Sequence, residues 1–157
     1  MDFSIWVDGD SCPVAVRDLI IRFALRLQIT TYFVANRVIP IPKRTSLFKM
    51  IVTETAEGAA DDYIVLHIQH NDLAITRDIP LASRLLDKGI TVINDKGTAF
   101  SPESIREKLS IRNFNYELAQ LGIKSDNINR FDKKDLNNFA NCLDKILQSK
   151  IRKTHLS

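Results

Sequence analysis

IWVDGD, residues 5–10, is an apolar run of the kind that forms a buried strand, and it contains two acids at its end. The pattern returns in LAITRD, residues 73–78, where a second apolar run leads to Asp78. Segments with helical spacing of apolar residues lie between such runs, and this alternation predicts an α/β fold with a mainly parallel sheet. Because the carboxyl ends of parallel strands meet at one edge, acids far apart in the chain are expected to share a crevice there.

Residues 1–100 are predicted to form the α/β core. Strands are expected at residues 5–7, 30–35, 50–53, 72–76 and 91–93, where β-branched and aromatic residues concentrate. The first helix is expected to have Pro13 in its first turn and either Ser11 or Cys12 as its cap. A second helix is predicted at residues 59–69, and a third is opened by Pro80 and closed by Gly89.

Beyond residue 97 the pattern becomes helical. One helix is expected to begin at Ser101 and another to run over residues 132–148, with a polar loop at 122–130 between them. We predict that residues 101–150 form a C-terminal helical extension packed on the core, so that residues 1–150 are one domain, followed by a basic tail at 151–157. The predicted architecture is three-layer α/β/α.

Composition is that of an ordinary globular domain, with 157 residues and a formal net charge of +3. This charge does not by itself require a nucleic-acid partner. No apolar run approaches the roughly 18 residues of a membrane span, and the start lacks a basic signal region, so we expect a cytoplasmic protein with no membrane partner. Cys12 and Cys142 have no zinc-like spacing and are expected to be reduced thiols, without a disulfide-linked partner. The oligomeric state is left open.

Aspartates are the candidate metal ligands and catalytic residues. On the helix at 59–69, Asp61 shares the inward face with Ile64, whereas Asp62 is rotated by about 100°, so Asp61 is the better candidate. Clustered carboxylates repel each other unless a cation lies between them, and Mg²⁺ or Mn²⁺ with oxygen ligands commonly organises phosphate chemistry. The alternative for Asp10 and Asp78 is a helix cap. The catalytic candidates are Asp8, Asp61, Asp62 and Asp78, and the metal-ligand candidates are these four and Asp10.

Candidate phosphate-binding residues lie beside these acids or in a basic loop at residues 36–46. Ser11 and Thr76 could hydrogen-bond a phosphate, although caps and strands use such residues routinely. The loop follows a predicted strand, and its cations could engage a phosphate backbone or be merely solvated. The substrate-binding candidates are Ser11, Asn36, Arg37, Lys43, Arg44, Thr76 and Arg77.

Three segments carry a resemblance to a known family: VDGDSCPV at residues 7–14, GAADDYI at 58–64 and AITRDIPLA at 74–82. They resemble the bacterial YaiI/YqxD family, in order across nearly the whole chain. That family is similar to the PIN-like (NYN/PIN) nuclease domains. The resemblance implies a PIN-like fold, a divalent metal and RNA as substrate.

In PIN-like relatives, acids after the first strand, in a central helix and after the fourth strand bind divalent metal for RNA cleavage. Carried over to this chain, the match falls on Asp8, on Asp61 or Asp62, and on Asp78, with Asp10 as a fourth ligand. The leading hypothesis is therefore a Mg²⁺- or Mn²⁺-dependent ribonuclease.

One departure from the family pattern concerns Arg77, which stands where related sequences often have glutamine. A cation at this position could neutralise the acidic cluster or hold a phosphate.

Two alternatives belong to other classes. Haloacid-dehalogenase-type phosphatases also have a nucleophilic Asp, as Asp8 would be, an acid/base Asp, as Asp10 would be, and a Thr ending a later strand, as Thr76 does. They place their acidic pair after that Thr strand, whereas Asp61 and Asp62 come before it. The other alternative is a non-catalytic PIN-like module that binds RNA or a protein.

Overall fold

A parallel five-stranded sheet forms the centre of the protein in a computed structural model that describes residues 2–122 and 132–156. The strands are β1 (Ile5–Asp8), β2 (Thr31–Ala35), β3 (Phe48–Val52), β4 (Leu73–Ile75) and β5 (Thr91–Ile93). Their order is β3-β2-β1-β4-β5, and every pair is parallel. β1 is therefore the central strand, and the loops after its neighbours meet beside its carboxyl end.

Five helices in the described residues cover the two faces of this sheet. They are α1 (Val14–Leu27), α2 (Ala59–His67), α3 (Ile79–Asp87), α4 (Pro102–Gln120) and α5 (Lys133–Leu156). α1 and α5 share one buried cluster with the sheet, and α2 and α3 share the other. α4 packs against α3. The predicted three-layer α/β/α architecture with a parallel sheet is confirmed. Over the residues described, none of these helices combines the length and apolar character that a membrane crossing needs.

β1 carries apolar side chains on both faces of the sheet, so each face needs a layer of helices to bury them. Ile5 and Val7 are buried on the side of α1 and α5, and Trp6 is buried on the side of α2 and α3. A strand that is apolar on both faces is typical of a parallel sheet between two helical layers. On α5, the fully buried residues Phe139 and Leu143 are joined by Leu147 at the same helical spacing. The C-terminal helix is therefore a structural part of the layer around α1.

Four of the five strands, β1 to β4, differ from the predicted bounds by one or two residues at one or both ends. β3 begins at Phe48 rather than at residue 50, because Phe48 is buried and lies opposite Thr31 of β2. Lys49 consequently belongs to the strand and not to the basic loop before it. β4 begins at Leu73 and not at Asp72, whose carboxylate instead accepts hydrogen bonds from Ser4 N and Trp6 Nε1 at 2.8 and 2.9 Å.

Two helices also end at unexpected places. α2 ends at His67 because Ile68 adopts an extended conformation. α5 continues to Leu156, through residues that we expected to form a basic tail from 151 onward. Ile151 packs on the cluster of α1 and α5, and Lys150 Nζ donates to the carbonyl of Asn71 at 2.7 Å, so the chain gains contacts by staying helical. The loop predicted at 122–130 lies outside the described residues, apart from residue 122.

Gly97, in the turn after β5, allows α5 to pack closely. Its φ is +83°, and an added Cβ would overlap the carbonyl of Asn138 and lie 2.8 Å from Phe139 N. We expect Gly97→Ala to lower the free energy of unfolding by about 2–3 kcal/mol, measured by urea denaturation, because a strained φ and a backbone clash add together. Gly89→Ala is the matched control, since its φ is +78° but its Cβ would lie at an ordinary 3.5 Å from His70 Cε1. Equal losses in the two variants would contradict the clash.

Candidate functional site

A cleft of about 430 Å³ opens at the carboxyl edge of the sheet. It is lined by the residues that follow β1, β2, β3 and β4, by the first turn of α2 and by one residue of α4. Four of the five predicted aspartates line it, namely Asp8, Asp10, Asp61 and Asp78. The topology therefore brings together carboxylates that are separated by up to seventy positions in the chain.

Asp8 ends the central strand and is almost completely buried, with 5% of its surface exposed. Its Oδ2 accepts a hydrogen bond from Thr76 Oγ1 at 2.8 Å and one from Ser11 Oγ at 2.9 Å. Burial raises the pKa of Asp8, the two hydroxyls oppose this, and the charges of Asp78 and Asp10 raise the pKa further. The two hydroxyls therefore orient a carboxylate whose charge is destabilised by its surroundings.

Ser11 reaches Asp8 because the chain makes a tight 3₁₀ turn at Gly9–Ser11. The prediction that Ser11 or Cys12 caps the first helix is wrong, since no side chain caps that helix. The turn packs closely against its neighbours: a Cβ at Gly9 would lie 2.4 Å from Cδ1 of Ile39 and 3.2 Å from Val34 O, so Ile39 would have to move to admit it. The Ser11 hydroxyl, which was expected to cap the helix, thus donates to the Asp8 carboxylate.

Asp78 is a helix cap and also a residue of the cleft. It is the N-cap of α3, where its Oδ1 accepts from Leu81 N at 3.0 Å, and it also lines the cleft. Its own N–H donates to Thr76 Oγ1 at 3.0 Å. Because Thr76 donates in turn to Asp8, one hydrogen-bonded chain links the ends of β1 and β4. These bonds connect the Asp8 carboxylate to the backbone of Asp78, while the Asp78 carboxylate is held separately by Leu81 N.

Asp10 ties the loop after β2 to the cleft. Both of its carboxylate oxygens accept from the backbone N–H of Asn36 at 3.2 Å. Asn36 therefore lies in the cleft lining, as one of the predicted substrate-binding residues.

The structure separates Asp61 from Asp62. Asp61 lies in the cleft, and burial raises its pKa to about 6, with the charges of Asp78 and Asp8 contributing. Asp62 is outside the lining, with 70% of its side chain exposed, and pairs with Arg84 at 2.9 Å. Of the two acids in the predicted motif, Asp61 is thus the one that shares the cleft.

Asp61→Asn is expected to raise the melting temperature of the metal-free protein by roughly 2–4 °C at pH 7.5. A carboxyl whose pKa rises from 3.8 to about 6 on folding destabilises the folded state when ionised. This destabilisation is complete above about pH 6 and disappears as the pH falls towards 4, although solvent screening reduces its size. Thermal melts in EDTA from pH 4 to 8 would measure it, with Asp62→Asn as the control. A gain that stays constant across this range would contradict the interpretation.

Arg77 pairs with an acid that is not among the predicted site residues. Its guanidinium forms an ion pair with Asp95, a buried residue that follows β5, and Arg77 is outside the lining of the cleft. A buried carboxylate needs such a partner. Asp95 was not among the acids predicted from the sequence, although it stands two residues after a predicted strand, the same signal that identified Asp78.

The basic loop runs away from the cleft. Arg37, Lys43 and Arg44 are exposed and, unlike Asn36, are outside the cleft lining. The loop crosses from the carboxyl end of β2 to the amino end of β3, where Leu47 O accepts from Thr31 N at 2.8 Å. Lys43 and Arg44 therefore lie on the part of the loop that heads for the opposite edge of the sheet.

Three charged residues of the cleft were not among the predicted ones. Glu54 and Glu57 come from the loop between β3 and α2, and Arg112 comes from α4. Glu54 follows a strand closely, so the reasoning applied to Asp8 could have found it. No sequence signal links Arg112 to the cleft, because its position depends on how α4 packs.

A thiol nucleophile is unsuitable here. Cys12 and Cys142 are both free. Burial raises the pKa of Cys12 to about 12, and the charge of Asp95 contributes, so the thiolate is not formed at neutral pH.

Whether the cleft suits a divalent metal ion depends on the charge and the spacing of its carboxylates. Among residues 2–122 and 132–156, no three Asp, Glu, His or Cys side chains are grouped closely enough to hold a metal ion. Mg²⁺, however, usually keeps several waters and uses one or two carboxylates together with substrate phosphates. The mutual repulsion of Asp61, Asp78 and Asp8 is the condition that a cation relieves. The donor set therefore fits a hydrated divalent ion.

The fold and the cleft define a class: three-layer α/β proteins with an acidic cleft at the carboxyl edge of a parallel sheet. A family model described as "Uncharacterized BCR, YaiI/YqxD family" matches residues 6–149. The chain belongs to the YaiI/YqxD family, which confirms the resemblance of the three sequence segments.

Curated relatives are similar over almost their full length. A UPF0178 protein of Treponema denticola is 49% identical over 152 residues, which are 97% of this chain and 96% of the relative. A UPF0178 protein of Psychromonas ingrahamii is 42% identical over 151 residues, covering 96% and 99%. One of Syntrophobacter fumaroxidans is 40% identical over 148 residues, covering 94% and 96%. No solved structure gives a significant match.

Proposed function

We propose that the protein is a Mg²⁺- or Mn²⁺-dependent phosphodiesterase that cleaves RNA. The observation that carries the proposal is the convergence of Asp8, Asp61 and Asp78 on one cleft, where their repulsion helps to raise the pKa of Asp61 to about 6. RNA as the substrate comes from the resemblance to PIN-like nuclease domains.

In this proposal, three acids lie around the ion and a fourth, Asp10, stabilises the rim of the cleft. One or two of Asp8, Asp61 and Asp78 would bind the hydrated ion directly and the rest would contact its waters. Thr76 links the Asp8 carboxylate to the backbone of Asp78 through its two hydrogen bonds. A divalent ion bound there supplies Lewis-acid polarisation of the phosphate and lowers the pKa of the attacking water. Asp10 stabilises the rim of the cleft through the backbone of Asn36.

The first experiment is a calorimetric titration of Mg²⁺ and Mn²⁺ into the purified protein, with and without RNA. The same samples are then incubated with a mixed pool of single-stranded and structured RNA. We expect saturable metal binding, tighter when RNA is present, and cleavage that EDTA abolishes. A well-folded protein that neither binds metal nor cleaves RNA would overturn the proposal. Hydrolysis of p-nitrophenyl phosphate without RNA cleavage would favour the phosphatase alternative.

A second candidate function is a non-catalytic module that binds RNA. It is favoured by the lack of a group of three metal-binding side chains among the described residues. This alternative predicts RNA binding that EDTA does not weaken, with no cleavage products after long incubation.

A further inference from the structure

Arg112 stands out because it lines the acidic cleft without an ionic partner. Ion pairs in the described part of the chain join Arg77 to Asp95 and Arg84 to Asp62. Over residues 2–122 and 132–156, Arg112 has neither an ion pair nor a hydrogen bond from its side chain. It is the one cationic side chain among the described residues that line the cleft.

The placement of Arg112 follows from how α4 is anchored. The helix starts at a capping box, in which Ser101 Oγ accepts from Ser104 N at 3.1 Å, and Ile105 is then buried in the cluster of α2 and α3. Arg112 comes seven residues after Ile105, which is two helical turns and a rotation of only about 20°. It therefore lies on the same side of α4 as Ile105, where it is exposed and lines the cleft. Arg106 is rotated by about 100° from Ile105 and bonds its own helix, at Pro102 O.

A phosphate entering this cleft meets strong repulsion. Asp8, Asp10, Asp61 and Asp78 all line it, and a single bound divalent ion would offset only part of their charge. A polyanion therefore needs a further positive group on the protein side. Arg77 and Arg84 are committed to carboxylates.

We propose that Arg112 is the phosphate-binding residue of the cleft, and that its guanidinium holds the non-bridging oxygens of an RNA phosphodiester. This inference rests on the proposed function and names the group that recognises the substrate backbone. The guanidinium fork matches two phosphate oxygens, whereas an ammonium group acts as a point charge. An arginine left unpaired among carboxylates has these donors free for the substrate.

The test compares Arg112→Gln, Arg112→Lys and the matched control Arg106→Gln. Binding of a fluorescein-labelled single-stranded RNA is measured by anisotropy in an Asp8→Asn background, which is expected to prevent cleavage. We expect Arg112→Gln to weaken binding by about 10- to 100-fold and to lower the salt slope by about one. Arg112→Lys should keep the salt slope but recover only part of the affinity. Arg106→Gln should stay within about twofold of its parent.

Steady-state cleavage by the same arginine variants, with Asp8 intact, separates this inference from the proposed function. Arg112→Gln should raise KM more than it lowers kcat and should leave calorimetric Mg²⁺ binding unchanged. RNA cleavage that is equal in Arg112→Gln and Arg106→Gln would overturn the role of Arg112 while the nuclease function stands. The protein could also bind RNA without cleaving it. If only Arg112→Gln then weakens RNA binding, the result supports the phosphate site and overturns hydrolysis. Neither RNA binding nor RNA cleavage by the protein with Asp8 intact would overturn both.

Discussion

Asp8→Asn is expected to lower metal-dependent RNA cleavage by at least about 100-fold, because it removes the most buried carboxylate of the proposed metal site. Asp8 lies at the end of the central strand and is held by Thr76 and Ser11, so a neutral side chain there keeps its position but loses the charge. Calorimetry should show the loss of Mg²⁺ binding in parallel with the loss of cleavage.

This substitution should not unfold the protein. Burial raises the pKa of Asp8, so its charge opposes folding at neutral pH. The amide oxygen of asparagine can still accept both hydroxyl hydrogen bonds. We therefore expect a melting temperature equal to or above that of the parent protein in EDTA. Asp87→Asn, an exposed change at the end of α3, is the control and should leave cleavage intact. Full activity in Asp8→Asn would rule out a metal site at this carboxylate.

Phe139→Ala is expected to lower the free energy of unfolding by about 3–5 kcal/mol, a large fraction of the stability of a domain of this size. Phe139 is fully buried on α5 and belongs to the cluster that contains Val7 and Ile20. Truncation removes this apolar area and leaves a cavity between α5 and the sheet. Urea denaturation followed by circular dichroism would measure the loss.

Phe114→Ala is the matched control for this change, since Phe114 is 59% exposed on α4. It should alter the free energy of unfolding by no more than about 0.5 kcal/mol. A loss below about 1 kcal/mol in Phe139→Ala would mean that α5 is an appendage and that the sheet folds without it. The expected large loss would instead make the C-terminal helix part of one cooperative unit.

The alternation of strands and helices could be predicted from the sequence because it depends on local periodicity. The strand at residues 91–93 was placed correctly. Element ends were less predictable. Phe48 joins β3 because of a partner in β2, and Ile151 prolongs α5 because of a contact with the core. These contacts come from residues distant in sequence.

Within the cleft, the positions of some side chains follow from local sequence patterns, and those of others depend on tertiary contacts. Asp8 and Asp78 were found because parallel strands bring their carboxyl ends to one edge, whatever the details of packing. The helical rotation that favoured Asp61 over Asp62 is likewise a local property. Ser11 was assigned to the wrong partner, since its choice between a helix end and a carboxylate depends on a turn that the sequence pattern does not show.

By itself, the sequence determined the layer architecture, the meeting of acidic strand ends at one edge of the sheet and the family, since these depend on periodicity and on ordered motifs. Only the tertiary structure decided that Arg77 pairs with Asp95, that the basic loop leads away from the cleft, and that Arg112 of α4 lines the same cleft as the acids. The physical reason is that the partner of a charged side chain is set by distance and burial in space. Neither quantity can be read from neighbours in the chain.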